Sequence, residues 1–127
     1  MIEAVFDASV PIAIFRDEPF DGRIPDLIES AVMSAVNVAE VWTKVHEYGL
    51  THAPRVEAFF DLLLRIEPFT ASQARLTADL RRSTRHVGLS LGDRACLALA
   101  IEMGAEVYTA ERRWSQVEVG CKVHLIR

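Results

Sequence analysis

Cysteine is scarce in this chain: Cys96 and Cys121 are the only two among 127 residues. Two thiols without paired spacing exclude a disulfide framework and a cysteine zinc site, and a reducing compartment is the simpler expectation. Cys96 stands among apolar neighbours and is expected to pack in a core. The four histidines, His46, His52, His86 and His124, show no paired metal spacing and no serine or cysteine partner motif, so surface or hydrogen-bonded roles are expected for them. No GxGxxG or P-loop sequence occurs, which removes the simplest nucleotide-binding reading. No run of about 18 apolar residues is present, and no basic segment precedes the first apolar stretch, which Asp7 interrupts. A soluble, cytoplasmic protein is the expectation.

An excess of positive charge is also missing. Fourteen basic residues against 18 acidic ones leave a formal charge of −4, which argues against gripping nucleic acid through bulk charge alone. Local contacts stay open, because "RRSTRH" (81–86) and "ERR" (111–113) are small basic clusters. Half the residues are hydrophobic and a quarter charged, an ordinary globular balance. A chain of this length forms one domain, residues 1–127, and buries about two thirds of its unfolded surface. It contains no repeat, linker or low-complexity segment.

Strand-like and helix-like stretches alternate along the chain. "IEAVF" (2–6) reads as a strand feeding a helix in "SVPIAIF", with Ser9 as its expected N-cap and Pro11 tolerated in the first turn. A helix is expected around residues 20–30, a strand in "AVMSAV" (31–36), and an amphipathic helix from Asn37 that stops at Gly49. Residues 55–65 predict another helix, "IEPF" a brief extended piece, and residues 70–86 one long helix capped by Thr70. Ser90 and Gly104 bound an almost wholly apolar helix, and strands follow in "EVYT" (106–109) and "KVHLI" (122–126). Such alternation implies an α/β fold: a mostly parallel central sheet of about four to five strands, covered by helices on both faces.

Four acids fall at equivalent junctions on that scaffold. Asp7 follows the first strand, Glu40 lies near the start of the helix after the second, Asp93 near the start of the apolar helix, and Glu111 just past "EVYT". The carboxyl ends of strands in an open parallel sheet face one edge, so these side chains can meet. Ionised carboxylates at close quarters oppose folding unless a cation joins them, and a hard divalent metal such as Mg²⁺ suits an all-oxygen donor set. The chemistry that fits is metal-assisted phosphodiester hydrolysis. Each acid also has a plainer role: Asn37 with Glu40 is a potential capping box, Asp93 faces the helix end after Ser90, Asp7 suits an Asx-type cap, and Glu111 a solvated turn.

The stretches "VFDASVPIAIF", "SAVNVAEVWTKV", "GLSLGDRACLALAIEMGAEVYTAERRW" and "VEVGCKVHLIR" together resemble the PIN-domain proteins, specifically the VapC-type ribonuclease toxins of prokaryotic toxin–antitoxin pairs. The resemblance spans nearly the whole chain; about residues 52–80 match only as a generic helical pair. It implies metal-binding, catalytic roles for Asp7 in "FDAS", Glu40 in "NVAEV" and Asp93 in "LGDRACLALA". At the fourth place, where the family usually has aspartate, this chain has Glu111 in "TAERRW", whose extra methylene moves the carboxylate by roughly 1.5 Å. Mg²⁺ or Mn²⁺ dependence, a homodimer and a cognate VapB-type antitoxin are implied as well. Ser9 and Thr109 flank the site, with capping or turn roles favoured and hydrogen bonds to a carboxylate or metal waters as the alternative. Arg94, Arg112 and Arg113 are candidates for RNA contacts, and Trp42 and Trp114 are expected to anchor a core or interface before they stack bases. A PIN-like module that binds RNA or protein without cutting is the second reading. A phosphatase using Asp7 as nucleophile is a distant third, because such enzymes usually carry another acid where Ser9 stands.

Overall fold

Asp7 stands at the point where the chain order of the sheet reverses. In the computed structural model, which describes residues 2–127, five strands form one sheet in the order β3-β2-β1-β4-β5, every neighbouring pair parallel. The strands are β1 (Ala4–Phe6), β2 (Ala31–Ser34), β3 (Arg65–Glu67), β4 (Glu106–Thr109) and β5 (Val123–Leu125). From β1 the chain moves outward through β2 to β3, then returns to place β4 and β5 on the other side. The gap between β1 and β4 is therefore the switch point, the usual ligand crevice of open parallel sheets.

Seven α-helices cover the sheet: α1 (Ser9–Phe15), α2 (Ile24–Leu27), α3 (Ala35–Tyr48), α4 (Ala53–Leu62), α5 (Ala71–Asp79), α6 (Arg81–Thr84) and α7 (Leu91–Met103). Side chains of a strand alternate between faces, and the core divides accordingly. Ala4, Phe6, Ala31 and Met33 pack under α1 to α4 with Val41, Val45 and Phe59. Val5, Val32 and Val107 pack on the opposite face with α7 and the buried Trp114. Residues 95–100 of α7 are all buried, because that helix lies on the sheet and is packed by α3 and α5 as well. This accounts for its nearly unbroken apolar run. Cys96 is buried there and its thiol pKa is pushed well up by burial, while Cys121 is also free. No helix among the described residues is long and apolar enough to cross a membrane.

Several boundaries differ from expectation for identifiable reasons. The helix expected around residues 20–30 is present but starts at Ile24, as α2 running into a 3-10 turn (Ile28–Ser30), since Asp21 fixes a turn at Arg23 and Pro25 sets where helix can begin. Helix α3 starts at Ala35, because the Ser34 hydroxyl accepts the Val36 N–H and ends the strand early. The long helix expected over 70–86 is broken at Leu80. Its carbonyl takes the Ser83 and Thr84 hydroxyls, at 3.3 and 2.8 Å, as well as the Thr84 N–H at 3.2 Å, a crowding that bends helices. Thr70 does cap α5 through the Gln73 N–H. Gly104 ends α7 at φ 63°, a left-handed conformation that a side chain would strain.

Candidate active site

Asp7 leaves the end of β1 as a 4% exposed carboxylate. Its Oδ1 accepts the Ser9 N–H at 3.2 Å and the Ser9 hydroxyl, and its Oδ2 accepts the Thr109 hydroxyl at 3.0 Å. The Ser9 Oγ in turn accepts the Ala110 N–H at 2.8 Å, and the Thr109 Oγ1 accepts the Glu111 N–H at 3.0 Å. A web of short bonds thus stitches the β1–α1 junction to the end of β4 across the switch point. The expected N-cap role of Ser9 is corrected: it is the first residue of α1, behind Ala8, and its hydroxyl serves Asp7 and Ala110 instead. Thr109 combines the expected turn role with direct support of Asp7. Burial raises the Asp7 pKa to about 7; the Ser9 and Thr109 bonds pull it down, while Asp93 and Glu111 push it further up.

Glu40 projects from α3 toward the start of α7. Asn37 Nδ2 donates to its Oε1 at 2.8 Å and to the Gly92 carbonyl at 3.0 Å, so the pair is a strut between two helices rather than a capping box. The Glu40 carboxylate lies over the bare Cα of Gly92. A Cβ there would stand 2.6 Å from its Cδ and 2.8 Å from Oε1, and closer still to Oε2. Half-burial raises the Glu40 pKa, the Asn37 bond opposes this, and Asp93 adds to it.

Asp93 has two roles. Its Oδ2 accepts the Ser90 N–H at 2.9 Å while its own N–H donates to the Ser90 hydroxyl, a full capping box at the head of α7. The same carboxylate faces the cleft. Glu111 is on the rim with half its side chain exposed, and Arg113 lies between the two, 3.7 Å from Asp93 and 4.0 Å from Glu111.

The four acids and Ser9 line one cleft of 260 Å³, together with Lys44 and Arg127. Sequence reasoning missed Gly92, those two cations and Glu18, a fifth carboxylate of the lining that pairs with Arg127 at 3.2 Å. Lys44 follows Glu40 by one helical turn, a signal that was readable. Arg94 does not reach the cleft: its guanidinium donates to the Thr77 carbonyl of α5 at 2.9 Å, which corrects the expectation of an RNA contact beside the acids. Arg112 is exposed on the turn Arg112–Gln116. Trp114 is a core residue, and Trp42 packs against Phe60.

Among the described residues, no three histidine, cysteine, aspartate or glutamate side chains stand close enough to hold one ion together. The donor set still fits a hard divalent cation. It offers carboxylate oxygens without sulfur or imidazole, and Mg²⁺ keeps most of its water and binds through one or two carboxylates. The buried Asp7, whose charge is unfavourable without a positive neighbour, supplies the demand for such an ion.

A parallel sheet with an acidic cleft at its switch point is the architecture of a PIN domain, and the chain belongs to the PIN-domain family, whose family model matches residues 4–120. PIN-domain proteins are typically nucleases. The fold is shared with VapBC2 from Rickettsia felis bound to a DNA fragment from its promoter, at 16% identity and TM-score 0.81 over 100% of both chains. It is shared with DNA-bound VapBC from Salmonella typhimurium at 18% identity and TM-score 0.78, over 98% of each chain. VapC20 from Mycobacterium tuberculosis, a sarcin–ricin loop cleaving toxin, matches at 16% identity and TM-score 0.71, over 94% of this chain and 99% of that one. No significant match exists among curated protein sequences.

Proposed function

We propose that this chain is a VapC-type toxin, a metal-dependent endoribonuclease held in check by a cognate VapB-type antitoxin. The observation that carries the reading is the convergence of Asp7, Glu40, Asp93 and Glu111, from four distant segments, on one cleft whose floor residue is a buried carboxyl with a pKa of about 7. Structural neighbours that are toxin–antitoxin complexes, and one that cleaves the sarcin–ricin loop, support it.

Asp7 and Glu40 are the floor ligands, held in place by Ser9, Thr109 and Asn37, and Asp93 and Glu111 close the side of the cleft. A bound Mg²⁺ or Mn²⁺ supplies charge neutralisation and an activated water for phosphodiester hydrolysis. Arg113 pairs with Asp93 and Glu111 in the free protein, and Arg127 and Lys44 line the cleft that an entering phosphate would occupy. A homodimer in the cytoplasm is the assembly and location that the family likeness favours.

The test is cleavage of total RNA by the purified protein with Mg²⁺, Mn²⁺ or EDTA, beside the Asp7→Asn variant. Metal-dependent fragments missing from the variant lane are expected; identical fragments in both lanes sink the reading. A PIN-like module that binds RNA or protein without cutting is the second reading, favoured by the Arg113 bridge across two of the acids. Titration calorimetry with Mn²⁺ separates the two, since the second reading requires no divalent binding.

A further inference from the structure

The break at Leu80 leaves a second surface that the cleft chemistry does not use. Arg81, Arg82 and Arg85 are exposed and line an open cleft of 520 Å³ with Ala78 and Asp79. Asp79 is already bonded to Arg75 at 3.3 Å. Among the described residues no carboxylate lies within ion-pair distance of the three arginines. Arg81 and Arg85, four positions apart, repel one another, and the carboxylate lining this open cleft, Asp79, is paired with Arg75.

The patch continues toward the acids. The turn Arg85–Val87 packs on the turn Arg112–Gln116, where His86 Nε2 lies 3.3 Å from the Gln116 carbonyl oxygen. That second turn carries the exposed Arg112, and Arg113, which reaches Asp93 and Glu111. An overall anionic protein thus carries exposed arginines on two segments that pack together, one at the rim of its acidic cleft and one on and after α6.

We infer that these arginines, Arg113 and Arg112 with Arg85, Arg82 and Arg81, are the track on which the phosphates of a single-stranded RNA lie outside the cleft. The inference deepens the nuclease reading and rests on it for the identity of the polyanion. Guanidinium forks match phosphate oxygens in pairs, and such contacts hold a strand without reading its sequence. The track therefore sets affinity for long RNA and leaves the chemical step and base preference to the cleft.

The test uses the double variant Arg82→Gln/Arg85→Gln, whose positions are exposed and unpaired, with its Tm compared with that of the unsubstituted protein. Binding of a labelled mixed-sequence RNA of about 20 nucleotides is followed by fluorescence anisotropy in EDTA over a salt series. The track predicts a Kd raised by about tenfold at low salt and a log–log salt slope shallower by about 1.4, two phosphates at 0.7 each. In cleavage assays KM rises for the long RNA, with kcat unchanged and KM for a tetranucleotide unchanged. Cleavage by both proteins with equal Kd, slope and KM overturns the track and leaves the nuclease standing. Arginine-dependent binding without cleavage by either protein sinks the nuclease and keeps the track. If the unsubstituted protein binds no RNA, or if binding ignores both arginines, the track is overturned and the surface passes to an acidic protein partner.

Discussion

Asp7, on the floor of the acidic cleft, is almost fully buried with both carboxylate oxygens hydrogen-bonded, whereas Glu111, on the rim, is half in water with Arg113 as its ion-pair partner at 4.0 Å. The floor is prepared in advance. Ser9, Thr109 and Asn37 hold two carboxylates in place, and Gly92 clears the space for one of them. That preparation costs stability while the acids lack a counter-charge. The rim is cheap and adjustable, since an exposed glutamate with a flexible arginine can shift without disturbing the core. On the proposed reading, this is the half of the site in which a glutamate can stand in for an aspartate.

Substitution on the floor gives the largest effects. Asp7→Asn should abolish metal-dependent RNA cleavage, and should also stabilise the metal-free fold at alkaline pH. The folded pKa of about 7 is raised above the ordinary 3.8, so the folded state holds the proton more tightly. The stability associated with that proton is complete below about pH 4 and is lost as pH rises through about 7. A shift of three units corresponds to an upper bound of about 4 kcal/mol, against about 1 kcal/mol for the acceptor that asparagine gives up. In EDTA at pH 8 the variant should therefore melt higher, by at most about 10 °C, and the gain should disappear as pH falls toward 4, where the lost acceptor leaves the variant slightly less stable. A variant that melts lower at pH 8 would break the contrast between floor and rim.

Gly92→Ala should lower cleavage by about 10- to 100-fold, the range for groups that orient metal ligands, by displacing the Glu40 carboxylate. Stability should stay within about 1 kcal/mol, because the helix gains from alanine what it loses in the Asn37–Glu40 bond. Denaturant melts alongside turnover rates check both halves. Thr109→Val keeps the shape but removes the hydroxyl shared by Asp7 and Glu111, and a loss of about 1–3 kcal/mol is expected in urea titrations. The smallest change belongs to the rim: Glu111→Asp should alter the cleavage rate by less than about tenfold in either direction, below the range for ligand-orienting residues. A hundredfold change there would place Glu111 with the floor.

Asp7 and Glu111 were readable as residues just past strand ends, and Glu40 and Asp93 as acids early in helices whose starts the caps and apolar spacing mark; parallel connections bring such positions toward one edge. Gly92 was invisible for a physical reason. A glycine in the first turn of a helix looks like a small propensity cost, and only the carboxylate lying over it reveals its purpose. Arg94 was misplaced by proximity in sequence. Consecutive helical residues point about 100° apart, so an Asp93 that faces the cleft turns its neighbour toward α5. Ser9 has the composition of a cap, and its actual partners, Asp7 and Ala110, include one from the far side of the switch point. The break at Leu80 depends on two hydroxyls folding back on one carbonyl, a competition that apolar spacing does not register.

The bond from Thr109 to Asp7 joins residues 102 positions apart. On a ribosome adding about 5–20 residues per second, roughly 5–20 s separate the synthesis of the two. Through that interval Asp7 lacks the β4 end that buries it, so it stays hydrated as an ordinary carboxylate. A nascent chain halted before Thr109 has no finished floor for its cleft, however well its first three strands pack. The order of synthesis alone keeps the acidic site unassembled until the two distant segments have met.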